Sequence, residues 1–377
     1  LLFLFHLVVF PMAEIFSQLA STLRLGGSAQ IGIDVGASSI KIVALKGSEQ
    51  SPKLLGVATE QTPAGLIVDG VITDPPSLLN VLKKALQKCG VPHQGTPATV
   101  GLRGVGVVFR RLILPLQSPE EMANQISLEA QHQIESDLTE WIIDYQVLSE
   151  PDRQGQVPVM LVGAKRNVVD DYLSVLQQVG VRPSVFDCDI FALANAYENA
   201  NKRNIQGTTL CLDIGRDTTK FHLLRNGIPV VVRSFQGGGI HLTESVAKDL
   251  AIGFDIAEER KISASKNEGS PSECEAVIER YNSELVQEMQ QTIDFFVNSN
   301  SDEKIDHVDA IALAGGGART RGLSTAIASH FKTHVEILDP FKKASFTKKI
   351  AMSIGEDAHQ YAVAYGLALR KTGDKEQ

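Results

Sequence analysis

The chain has 377 residues, with 36 lysines and arginines against 44 aspartates and glutamates, a formal net charge of −8. That length calls for two lobes or more, since domains usually run about 100–200 residues. Hydrophobic residues at 43% and charged ones at 21% exclude the disordered and fibrous classes.

The acidic balance argues against a sequence-independent nucleic-acid binder, which needs a basic face to displace phosphate counterions. Cys89, Cys188, Cys211 and Cys274 lack CxxC spacing, so neither a zinc site nor a disulfide framework is indicated, and they read as reduced thiols. Residues 1–10 (LLFLFHLVVF) are apolar but too short to span a bilayer, which takes about 20 apolar residues. Two readings stand: an over-read of the gene with Met12 as the natural start, or a hydrophobic anchor. Ile15, Phe16, Leu19 and Leu23 fall at helical spacing and predict a short amphipathic helix, docked on its own protein or on a membrane.

From Gln30 the pattern changes to IGIDVGASSIKIVALKG, two β-rich stretches around a small-residue turn, which predicts a hairpin. Residues 76–89 have helical periodicity, stopped by Gly90 and Pro92. Residues 98–114 read as strands, and Ser118-Pro119-Glu120-Glu121 then opens a long helix with an N-cap, a first-turn proline and early acids. Strands at 141–148 and 158–164 flank a polar turn, so this block has the size of an inserted subdomain holding Trp141 and Tyr145. A helix at 168–179, a strand at 184–186 and a helix at 190–199 lead to the polar linker 200–207, expected to divide two lobes.

Beyond it, TTLCLDIGRDTTKFHLLRNG repeats the first hairpin. Asp213 falls on Asp34, Gly215 on Gly36, Thr218 on Ser39 and Lys220 on Lys41. Helices at 242–250, 256–263 and 274–298 follow, then a buried strand at 308–314 running into Gly315-Gly316-Gly317.

A polyphosphate needs several backbone N–H donors at close range, and a tight turn of Gly, Ala and Ser presents them with little bulk in the way. The hydroxyls of Ser38, Ser39, Thr218 and Thr219 add further donors. Asp34 and Asp213, each ending a strand, suit a magnesium ion held through water, and would face each other across the nucleotide. Lys41 is either a point charge for the phosphates or a solvated strand lysine. Gly315 to Gly317 would let backbone approach a flat adenine or ribose. One Asp-x-Gly-x-x-Ser is a common hairpin turn. Two in matching register are a duplicated phosphate motif.

The order of phosphate turn, small insert, second phosphate turn and Gly-rich turn resembles the actin, Hsp70 and sugar-kinase superfamily. Within it, IGIDVGASSIKIVAL, PAGLIVDGVITDPPSL, LPLQSPEEMANQISLEAQHQIESDLTEWIIDYQVL, LDIGRDTTKF, QGGGIHLTESVAKDLAI, AEERKI and IALAGGGARTRGLSTAIASHF resemble the PilM family of type IV pilus assembly, relatives of FtsA. The resemblance implies an α/β, ribonuclease H-like duplicated, actin-like ATPase fold with two lobes and an SHS2-like subdomain 1C. The implied parts are an N-terminal extension (1–28), subdomain 1A (29–103, 166–199 and 350–372), 1C (104–165), 2A (200–235 and 305–349) and 2B (236–304).

It also implies ATP and magnesium between the lobes. Asp34, Gly36, Ser38, Ser39 and Lys41 match the first phosphate motif, and Asp213, Gly215, Thr218 and Thr219 the second. Gly238, Glu259, Lys261, Gly315, Gly316 and Gly317 match the adenosine side. The implied partners are the N-terminal cytoplasmic peptide of PilN, in a groove between 1A and 1C, and the pilus motor ATPases, with a peripheral place at the inner membrane. Two departures stand out. Ala37 replaces a frequent serine, and Arg216 with Asp217 brings bulk to the second turn, with Arg216 directed to phosphate or to solvent.

FtsA shares the pocket but ends in a membrane helix, unlike RKTGDKEQ here. A small-molecule kinase is the enzyme-class alternative; its base would have to be Asp69 or Asp187, both of which read more simply as turn caps.

Overall fold

The structure is a computed structural model that describes residues 29–134, 137–201, 205–266, 273–299, 305 and 307–371. The predicted N-terminal helix lies outside them. The described chain divides into two units, one up to Ala200 and again from Pro340, the other Asn201–Asp339.

In the first unit, β1 (Gln30–Val35) is buried along its whole length and pairs antiparallel with β2 (Ser39–Ser48), as the hairpin pattern predicts. A third strand, β3 (Ser51–Gln61), continues the meander. The short hairpin of β4 (Ile67–Val68) and β5 (Val71–Ile72) turns on Asp69 and Gly70, both at positive φ, as such turns require. Helix α1 (Pro75–Cys89) starts where the Asp74 side chain accepts the Ser77 N–H and ends at Gly90 in the left-handed region. Strand β6 (Pro97–Leu102) lies parallel to β1.

The insert follows. β7 (Val107–Pro115), β8 (Trp141–Val147) and β9 (Gln156–Lys165) form an antiparallel sheet in the order β7-β9-β8. Helix α2 (Pro119–Gln133) opens with a capping box between Ser118 and Glu121 and buries Met122, Ile126 and Ala130 against Trp141, Val157 and Leu161. Helix α3 (Arg166–Val179), strand β10 (Arg182–Cys188), parallel to β6, and helix α4 (Asp189–Ala200) complete this part of the unit. The five-stranded sheet runs β3-β2-β1-β6-β10.

The second unit repeats this plan. β11 (Thr208–Ile214), β12 (Thr218–Arg225) and β13 (Ile228–Gln236) form the meander. Helices α5 (Gly239–Asp249), α6 (Phe254–Lys266) and α7 (Glu275–Ser299) then stand between it and β14 (Ala310–Ala314), which is parallel to β11. After helix α8 (Leu323–Phe331), β15 (His334–Ile337) adds the fifth strand, parallel to β14, giving the order β13-β12-β11-β14-β15. Strand order and direction therefore match the first sheet strand for strand, which is the duplication expected from the two aspartate turns. Phe221, Leu223, Val246, Ile278, Met289 and Ile327 form the core of this unit. Burying each such side chain contributes about 1.5–3 kcal/mol.

The chain returns to the first unit earlier than expected. Residues 340–349, expected in the second lobe, belong to the first unit: Phe341 packs with Val43, Tyr361 and Tyr365, and Ser345 exchanges backbone hydrogen bonds with Pro52 and Leu54. Helices α9 (Lys348–Ile354) and α10 (Ala362–Ala368) close the unit. Small residues let α10 press close: a Cβ on Gly366 would meet the Ala192 carbonyl of α4 at 1.8 Å.

All four cysteines are buried and unlinked. Burial pushes the Cys89 thiol up to about 12 and the Cys188 thiol well above its ordinary value. Since the thiolate is the nucleophile, an aromatic disulfide reagent at pH 8 should leave the native chain unlabelled and titrate all four thiols after unfolding in urea. Rapid labelling of the native chain would contradict this burial.

Candidate functional site

Each unit carries one aspartate turn, and the two are built alike. In the first, buried Asp34 is the next-to-last residue of β1, and the Gly36 N–H donates to the Ser39 carbonyl at 3.2 Å to close the turn. Thr62, just past β3, clamps it from outside: its N–H donates to the Ser38 carbonyl at 2.9 Å and its hydroxyl to the Gly36 carbonyl at 2.8 Å. In the second, the Gly215 N–H donates to the Thr218 carbonyl at 3.0 Å. The clamp comes from the segment after β13, where Gly238 donates to the Asp217 carbonyl at 3.2 Å and Gly239 to the Gly215 carbonyl at 2.9 Å. The bulk of Arg216 therefore does not distort the turn; its guanidinium pairs with Asp217 at 3.1 Å.

The turns leave donors available. The N–H groups of Ala37 and Ser38, and those of Arg216 and Asp217, make no hydrogen bond among the described residues. Ser38 is exposed, and Ala37, Arg216, Asp217 and Thr218 are partly so. A dry, unpaired donor costs about 1–3 kcal/mol, so these groups require water or an anion. Ser39 is buried behind its turn. Thr219, expected to donate to phosphate, is fully buried and its hydroxyl donates to the Gly237 carbonyl at 3.1 Å, making it part of the clamp.

The aspartates have protein cations beside them. Asp213 lies directly across the ladder from Lys220, whose Nζ is 2.8 Å from its carboxylate, both side chains being largely buried. Asp34 faces Lys41 in the same register, but here the ammonium stands back at 3.9 Å because the Arg103 guanidinium holds the carboxylate. Arg103 also places its Nε 3.2 Å from Asp189, the first residue of α4. Arg103 was not foreseen, since only tertiary packing brings it to Asp34. Lys220 was visible in the repeat, where it aligns with Lys41.

The adenosine-side residues divide. A Cβ on Gly315, at φ +81°, would meet the Asp213 carboxylate at 2.3 Å, and one on Gly317 would meet Ile214 at 2.3 Å, so both are glycine because the turn packs on β11. Gly316 has nothing within 4 Å of its Cβ position and is the open surface of the motif. A Cβ on Gly238 would meet the Arg216 carbonyl at 2.4 Å. Lys261 donates to the Gly239 carbonyl at 3.1 Å, the Thr243 hydroxyl at 2.8 Å and Glu258 at 2.6 Å. Burial lowers its pKa, with Glu258 opposing. Its ammonium thus braces the second turn, and Glu258, not the exposed Glu259, is its partner. Tyr281 of α7 adds a bond to the Gly237 carbonyl at 2.9 Å.

The two kinase-base candidates have structural roles. Asp69 forms the β4–β5 turn. Asp187 is fully buried beside Arg370, with its carboxylate 3.5 Å from the guanidinium, and accepts the Cys188 N–H at 2.7 Å.

These donors fit a polyphosphate. Among the described residues no cluster of three or more acidic, histidine or cysteine side chains could hold a metal by itself. Magnesium needs no such cage, because it keeps waters and is carried by one or two carboxylates with phosphate oxygens. Asp34 and Asp213, already paired with cations, fit that outer role.

Two meanders of the same order, each extended by two parallel strands and each with an aspartate turn, define an actin-like ATPase fold. The chain belongs to the family described as Type IV pilus assembly protein PilM, whose match covers residues 32–372. It is similar to a solved structure of a PilM-PilN type IV pilus biogenesis complex, with 27% identity and a TM-score of 0.79 over 90% of this chain and 98% of that one. More distant likenesses show the fold alone. The ethanolamine utilization protein EutJ of Carboxydothermus hydrogenoformans is 15% identical, with a TM-score of 0.53 over 90% of this chain and 89% of that one. MreB5 of Spiroplasma citri, solved with ADP, is 14% identical, with a TM-score of 0.50 over 93% and 98%. Among the described residues no helix is long and apolar enough to cross a membrane.

Proposed function

We propose that this chain is an ATP-binding adaptor of type IV pilus assembly that docks the N-terminal cytoplasmic peptide of PilN and links the inner-membrane platform to the motor ATPases from a peripheral cytoplasmic position. The observation that carries it is the likeness, over nearly the whole chain, to a protein solved with PilN. The family match over residues 32–372 supports the pilus role independently.

In this reading the N–H groups of Ala37, Ser38, Arg216 and Asp217 and the hydroxyls of Ser38 and Thr218 bind phosphate oxygens, with Lys41 as a point charge, while buried Ser39 closes the first turn through its carbonyl. Gly36 and Gly215 keep the turns narrow, and Thr219 holds the second one in shape. Gly315, Gly316 and Gly317 carry the adenosine, with Gly238, Glu259 and Lys261 on the same side. Magnesium, when bound, neutralises the polyphosphate, and Asp34 and Asp213 orient its water shell. The nucleotide orders the chain for partner recognition, and no residue is assigned to hydrolysis.

The test is a titration of the full chain with fluorescent ATP, with and without magnesium, beside a titration with the PilN N-terminal peptide and a phosphoryl-transfer screen on small alcohols and sugars. Magnesium-dependent nucleotide binding, saturable peptide binding and no transfer are the expected results. Transfer to an alcohol without peptide binding would overturn the adaptor reading in favour of a kinase.

A further inference from the structure

The two copies of the fold differ at one position that bears on Asp34. The parallel register sets Asp213 beside Ala314, and, carried one residue on from Ile33 and Val100, sets Asp34 beside Gly101. Two residues further along each strand exit stand Gly316 and Arg103. Gly316 has nothing within 4 Å of its Cβ position, whereas the Arg103 side chain lies 3.7 Å from the Cβ position of Gly36 and holds both Asp34 and Asp189. Its side chain keeps 18% of its surface exposed, while Nε is buried.

The main chain of the same residue is the way into the inserted sheet. Its carbonyl is packed where a Cβ on Gly70 would meet it at 2.2 Å. Gly104 follows at φ +72°, pressed on the Asp69 carbonyl, and the Val105 N–H donates to that carbonyl at 3.2 Å, two residues before β7 begins. A displacement of the Arg103 side chain therefore acts on a short, tightly packed segment with the insert at its far end.

We infer that Arg103 is a positioning residue that couples the first phosphate turn to the inserted β7-β9-β8 sheet: it is the resident counterion of Asp34, and a metal–polyphosphate arriving there competes with it and shifts the strand exit that carries the insert. This rests on the reading that the turn holds such a ligand. Two cations cannot share one carboxylate without mutual repulsion, and a guanidinium released from Asp34 has phosphate oxygens as its nearest new acceptors.

Hydrogen exchange on the full chain tests it. In the wild type, magnesium–ATP should change exchange several-fold at 105–109. Arg103→Gln should still bind nucleotide but lose that change, and Arg103→Lys should recover part of it. Without any ligand, Asp34→Asn weakens the hold on Arg103 and should shift exchange at 105–109 in the same direction as nucleotide does. The coupling is wrong if Arg103→Gln keeps the nucleotide-dependent change, or if Asp34→Asn leaves the insert's exchange as in wild type. A wild-type chain that binds no nucleotide defeats the nucleotide reading, and the Asp34→Asn result still decides the link.

Discussion

Asp213→Ala should lower the stability of the second unit by about 3–5 kcal/mol, the usual cost of removing one partner of a buried ion pair. It takes away the carboxylate 2.8 Å from Lys220, on a lysine whose side chain is only 7% exposed. The same substitution should weaken nucleotide binding, so alanine alone confounds folding with ligand recognition. Asp213→Asn separates them. Its amide oxygen still accepts from Lys220 and its shape is unchanged, but the charge proposed to order magnesium's waters is gone. Urea unfolding should place the asparagine variant nearer wild type than alanine, while titration should show magnesium–ATP affinity falling for both. Wild-type affinity in a folded Asp213→Asn chain would remove Asp213 from the metal's surroundings and leave it a purely structural partner of Lys220.

Gly315 and Gly316 should respond in opposite ways. Gly315→Ala forces a Cβ to within 2.3 Å of the Asp213 carboxylate from a backbone at φ 81° and ψ 172°, a region that only glycine occupies comfortably. Strain of about 1–3 kcal/mol from that backbone, with about 1–3 kcal/mol from overpacking, should cost about 2–6 kcal/mol in all. Gly316→Ala meets nothing within 4 Å. Its stability should stay within about 0.5 kcal/mol of wild type, as at an ordinary surface position. If adenosine passes over the open face of the motif, Gly316→Leu nonetheless lowers nucleotide affinity several-fold while the unfolding midpoint holds. Denaturant curves and nucleotide titrations on the three variants decide it. Unchanged affinity in Gly316→Leu would put the adenosine elsewhere.

The contrast between these neighbours illustrates how far the sequence could be read. A Gly-Gly-Gly run after an apolar strand is equally consistent with ligand approach and with close packing. Tertiary structure assigns Gly315 and Gly317 to packing on Asp213 and Ile214, and leaves Gly316 open. The same holds for hydroxyls: Ser38 and Thr219 look alike as donors, yet one is exposed and the other is spent on Gly237. Lys261 could be placed near the second turn, but three acceptors within the protein take up its donors.

Strand β3 is not legible in the sequence for a related reason. In β3, Lys53, Gly56 and Thr59 interrupt the apolar Leu54, Leu55, Val57 and Ala58 without strict alternation, and its membership of the sheet comes from pairing with β2. The return of residues 340–349 to the first unit rests on Phe341 and Ser345 finding partners about 290–300 positions away in the chain, contacts that leave no local signal.

Asp34 and Asp213, the turns that follow them, the capped helix start at Ser118 and the insert between the two hairpins were determined by sequence alone, because each depends on residues within one strand, turn or helical turn of its neighbours. What surrounds each carboxylate was decided only by the tertiary structure. Lys220 closes on Asp213, while Arg103, arriving from a parallel strand 69 residues away, displaces Lys41 from Asp34 and joins the turn to the insert. A buried charge takes whichever counterion packing brings within reach, and that choice belongs to the fold.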